Sequence, residues 1–78
     1  MSNTFDAFLE TTEIQDNTIN VYGIWSCEKD YEDNKDPDYY DVYLSEGMTS
    51  ICLNEGNPLY EKPTVDDCHK LLYDYLNN

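Results

Sequence analysis

A chain of 78 residues has room for one hydrophobic core, and this one carries 17 Asp and Glu against 4 Lys with no Arg, a formal net charge of -13. That balance excludes direct nucleic-acid binding, which Lys and Arg drive, and it opposes docking on anionic lipid surfaces. Eight Tyr, one Trp and two Phe, with spaced Ile, Val and Leu, exclude the disordered acidic class, which is poor in such residues.

The N-terminal MSNTFDAFLE lacks the basic start and apolar run of a signal peptide, and no stretch approaches the length of a membrane span, so a cytoplasmic protein is expected. Within residues 4–14, Phe5, Phe8 and Leu9 stand at spacings of three and one, which predicts a short amphipathic helix with Thr4 as N-cap. The β-branched TTEI at its end would equally open a strand. Asp16-Asn17 reads as a turn. Residues 18–28 then form a strand, with Ile19, Val21, Trp25 and Cys27 on one face and Tyr22 and Ile24 on the other. Gly23 in its middle marks a bulge or a close backbone approach.

Residues 29–37, KDYEDNKDP, contain no aliphatic side chain and end in Pro, so a solvent-exposed loop is expected. Residues 38–45 read as a second strand, with Tyr40, Val42 and Leu44 inward and Tyr39, Asp41 and Tyr43 outward. Across the turn signal Glu46-Gly47, residues 48–54 make a third strand, with Ile51 and Leu53 on one face, paired to the second as an antiparallel hairpin. Gly56, Pro58 and Pro63 make residues 55–63 a surface connection. Thr64, followed three residues later by Asp67, resembles a capping box opening a helix. Val65, Cys68, Leu72, Tyr75 and Leu76 fall on its apolar face, and Asp66, Lys70 and Asp74 face away. The expected fold is α+β in a single domain over 1–78: a three-stranded antiparallel sheet, a C-terminal helix on one face, and the short N-terminal helix.

No common catalytic or nucleotide-binding motif is present: GxGxxG, GxxxxGK[ST], HExxH and GxSxG are all missing. His69 is the one histidine, and next to Cys68 on a helix it points about 100° away, a poor geometry for a catalytic pair. Cys27, Cys52 and Cys68 form no CxxC or CxxxC pair and read as buried small hydrophobes in a reducing compartment. Seven carboxylates between Glu28 and Asp41 would attract a hard cation, but the spacing lacks the glycine and the terminal Glu of an EF-hand loop. No enzyme activity, cofactor or metal site is therefore expected.

The acidic run has a plain reading as a solvated loop that serves solubility. Two features favour a binding surface. The acids continue as Glu46, Glu55, Glu61, Asp66 and Asp67, and Tyr31, Tyr39, Tyr40, Tyr43 and Tyr60 are interleaved with them. Tyrosine supplies contact area and a hydrogen-bonding tip at low entropic cost. The candidate binding residues are Glu28, Asp30, Tyr31, Glu32, Asp33, Asp36, Asp38, Tyr39 and Asp41. In size, acidity and compact α+β pattern the whole chain resembles small acidic phage-encoded inhibitors of host defence, the anti-CRISPR and DNA-mimic class. The resemblance implies a partner with a basic, nucleic-acid-binding surface, such as a CRISPR effector or another defence nuclease, blocked stoichiometrically in the host cytoplasm. An adaptor or antitoxin-like subunit that binds a basic protein without mimicking nucleic acid is the alternative.

Overall fold

The computed structural model describes residues 4–77; residues 1–3 and 78 lie outside them. Among the described residues the chain runs β1 (Phe5–Ile14), β2 (Asn17–Trp25), α1 (Glu28–Glu32), β3 (Tyr39–Glu46), β4 (Thr49–Cys52) and α2 (Val65–Leu76). The four strands pair in chain order, each antiparallel to the next. The fold is thus α+β with an antiparallel sheet and a C-terminal helix, and the sheet has four strands rather than three.

The additional strand is β1, in the segment where the spacing of Phe5, Phe8 and Leu9 predicts a helix. Its register against β2 slips between Phe8 and Glu10, so Leu9 is the extra residue of a β-bulge. The bulge breaks the two-residue alternation and leaves an apolar spacing that mimics a helical one. β1 and β2 are joined by Gln15-Asp16, one residue earlier than expected, and both have positive φ, 50° and 65°. Such backbone matches the twist of a two-residue hairpin. Gly47 (φ 57°) begins the two-residue turn into β4.

The core gathers on one face of the sheet. Ile14, Ile19, Val21, Tyr40, Val42 and Leu44 from the strands meet Cys68 and Leu72 of α2, with Ile51, Leu53, Leu59 and Leu71 packed around them. The inward set expected for β3 is thus the observed one. On α2 Cys68 and Leu72 are buried and Leu71 is half-buried beside them, whereas Val65, Tyr75 and Leu76 are exposed. The capping box is present: Thr64 Oγ1 accepts from Asp67 N at 3.2 Å, and Thr64 N donates to Asp67 Oδ2 at 3.0 Å.

Asn54 is the one buried polar residue among those described. β4 ends at Cys52, and the Asn54 side chain continues the edge of β3 in its place. Its Oδ1 accepts from Val42 N at 2.9 Å, and its Nδ2 donates to the carbonyls of Tyr40 (3.0 Å) and Asn57 (3.3 Å). Tyr40 N then donates to the Leu59 carbonyl at 2.8 Å, which pins the 55–63 connection back onto the sheet. These bonds satisfy backbone groups that the short fourth strand would leave buried and unpaired.

Candidate protein-binding surface

The acidic segment contains a short helix where an open loop was expected, and its frame is built from apolar and backbone contacts. Trp25 at the end of β2 donates its indole Nε1 to the Lys35 carbonyl at 2.7 Å. Tyr31 stacks on Phe5 (centroids 5.8 Å apart, 20° between planes) and meets the Trp25 ring edge-on at 5.3 Å. Pro37 lies over Gly23, where an added Cβ would come within 2.5 Å of its Cγ. Close approach is therefore the role of Gly23, and the bulge is on the facing strand. The segment is closed where Asp38 N donates to Ile24 O at 2.8 Å and Asp38 Oδ2 accepts from Ser26 N at 2.6 Å.

The nine candidate residues are divided by these contacts. Glu28, Glu32, Asp33 and Asp36 are exposed, and among the described residues their carboxylates enter no ion pair or hydrogen bond. Asp30 is half-buried and pairs with Lys35 at 3.6 Å. Tyr31, expected at the interface, is exposed along part of its ring and packs the rest against Phe5 and Trp25. Asp38 closes the loop. Tyr39 and Asp41 lie on the sheet face opposite the core and line a shallow hollow with Cys52 and Glu55.

That opposite face holds a group of side chains that sequence reasoning did not assemble. Phe8, Tyr22 and Tyr43 come from three neighbouring strands, and each ring meets the next edge-on, at 5.8 Å and 5.5 Å. Asp41 stands opposite Tyr22 in the register, and Asp6 flanks the same rings in a cleft with Tyr22, Tyr43 and Ser50. Partial burial, and then the charge of Asp6, push the Asp41 carboxyl above its ordinary range. The Tyr43 phenol is raised by burial and by Asp41. Outward positions for Tyr22, Tyr39, Asp41 and Tyr43 are legible in their strands; Phe8 joins them only once β1 is a strand.

The cysteines also divide. Cys27 is exposed at the start of α1, which corrects its expected burial: β2 ends at Trp25, so the alternation does not reach it. Cys52 is half-buried and Cys68 buried, and burial raises both thiols, so neither is poised as a thiolate. Cys68 points into the core while His69 is exposed, so the two do not face each other. Among the described residues no three of His, Cys, Asp and Glu gather as a cation site, and no helix is long and apolar enough to cross a membrane. No family model matches the chain, and neither a curated protein nor a solved structure is found to match it.

Proposed function

We propose that this protein binds a basic protein surface, of the kind that otherwise holds nucleic acid, and blocks it stoichiometrically in the manner of anti-CRISPR and DNA-mimic inhibitors. The observation that carries this reading is the exposure of Glu28, Glu32, Asp33 and Asp36 on a segment tied down through Trp25, Tyr31, Pro37 and Asp38. Unpaired carboxylates on a fixed frame meet Lys and Arg without the cost of ordering the backbone, and a net charge of -13 steers such a partner from a distance. With 17 acids in the chain and few cations to neutralise them, the fold tolerates self-repulsion that a purely structural domain would not need.

The test is capture from a host lysate by the tagged protein across a salt series, with DNA and RNA as competitors. Recovery of a basic nucleic-acid enzyme that is released by high salt, displaced by nucleic acid, and lost with the variant Glu28→Gln/Glu32→Gln/Asp33→Asn/Asp36→Asn supports the reading. A partner that resists both salt and nucleic acid belongs to the adaptor reading, which the ring group of Phe8, Tyr22 and Tyr43 favours.

A further inference from the structure

One face of the sheet is covered by α2, and among the described residues no helix lies on the other. α2 and the packed ring of Tyr31 lie on the core side, with Ile19, Val21 and Trp25. On the other side the Tyr22 and Tyr43 rings stand at 86° to one another and form a corner, with Phe8 behind Tyr22 and Asp6 and Asp41 alongside. We propose that this corner is the seat of an arginine side chain projected by a basic protein partner, with the guanidinium against the two tyrosine rings and the carboxylates of Asp6 and Asp41. The inference rests on the basic-partner reading above and names where one of the partner's cations sits.

Charge and shape choose the occupant. Asp6 lines the cleft and Asp41 stands beside it, opposite Tyr22 in the register, and neither makes an ion pair among the described residues, since the observed pairs are Lys35 with Asp30 and Lys62 with Glu10. The remaining lysines, Lys29 and Lys70, are carried by α1 and α2. Asp41 is shifted towards its neutral form by burial and by Asp6, and a cation placed beside the two would offset their repulsion. Aromatic faces attract such a cation through their quadrupole. A planar guanidinium can stack on a ring while bonding a carboxylate in bidentate fashion, which a lysine ammonium cannot do. The cleft of about 230 Å³ is below the roughly 300–1,000 Å³ of small-molecule pockets and suits one side chain. A second copy of this chain is a poor occupant, because the sequence contains no arginine and each copy carries -13.

The experiment titrates the full chain with an acetylated, amidated peptide carrying two arginines, and with its citrulline counterpart, followed by amide chemical shifts. Shifts are expected at Tyr22, Asp41 and Tyr43, and loss of binding with citrulline. Asp41→Asn and Tyr43→Leu should each weaken binding about three- to tenfold. Native near-UV circular dichroism of Asp41→Asn establishes that the face is intact. Shifts confined to residues 28–36, with Asp41→Asn binding as the parent does, overturn the arginine seat while leaving the basic-partner reading in place. So does undiminished capture of the target by Asp41→Asn. Absence of peptide binding at millimolar concentration also overturns the seat, and the salt-series capture then decides the wider reading independently.

Discussion

Replacing Asn54 by alanine should be among the costliest single changes to this fold. The side chain is 3% exposed, and its removal strips a partner from two buried backbone groups, the Val42 N–H and the Tyr40 carbonyl. A buried polar group left unsatisfied costs about 1–3 kcal/mol, and the void left by the amide adds to that. The Asn57 carbonyl is exposed enough for water to replace its lost bond, so an overall loss of about 2–4 kcal/mol is expected. A domain of this length has roughly 4–12 kcal/mol in total, and the melting temperature should fall by roughly 10–30 °C. Urea unfolding followed by far-ultraviolet circular dichroism gives the loss as a lower midpoint at unchanged slope. Hydrogen exchange should show the Val42 amide losing more protection than the global change accounts for. Asn54→Asp keeps the acceptor for Val42 but sets a buried carboxylate against the Tyr40 carbonyl. That variant should recover stability in acid, where the protonated group can donate as the amide does. A midpoint within about 0.5 kcal/mol of the parent, or a Val42 amide that stays protected in Asn54→Ala, would refute the role given to this side chain.

Gly23→Ala places a Cβ 2.5 Å from Pro37 Cγ and near Trp25 and Leu9, and should cost about 1–3 kcal/mol in thermal unfolding, partly recovered when Pro37→Ala removes the clashing ring. Thr64→Ala deletes the hydroxyl arm of the capping box and should cost about 1 kcal/mol by the same assay. The Asp67 carboxyl is held below its ordinary range, first by the Thr64 backbone N–H and then by the Thr64 hydroxyl. Its contribution is therefore complete above a pH of about 3.9 and lost as pH falls through the lower folded value, so the gap between the parent and Asp67→Ala should close in acid. Asp41 has the opposite sign: its raised carboxyl favours the fold in acid, and that advantage disappears as pH rises through the raised value. Asp41→Asn should accordingly stabilise the protein at neutral pH, with the difference vanishing in acid titrations.

Legibility from sequence followed the regularity of each element. The Tyr40, Val42 and Leu44 alternation and the Thr64 capping box needed only local rules, and both stand as expected. β1 failed at a single residue: Leu9, the bulge, displaced the apolar pattern and hid a ten-residue strand. The stripe of α2 is shorter than its periodicity, because periodicity marks which positions can face a sheet and not which of them the sheet reaches. On the acidic segment, exposure followed directly from composition. The stacking of Tyr31 depends on Phe5, and so on the additional strand. The same omission concealed the Phe8, Tyr22 and Tyr43 group, since rings on three strands meet only once all three strands are paired.

The contact between Trp25 and the Lys35 carbonyl has a practical consequence. The chain holds a single tryptophan, so its whole indole emission comes from the point where the acidic segment is fastened to the sheet. Lifting that segment would break the hydrogen bond, admit water to the ring and separate it from Tyr31, moving the emission to longer wavelength while the far-ultraviolet spectrum stayed native. The protein thus carries an internal optical gauge of whether its charged segment is seated, readable without any label during a titration with a partner.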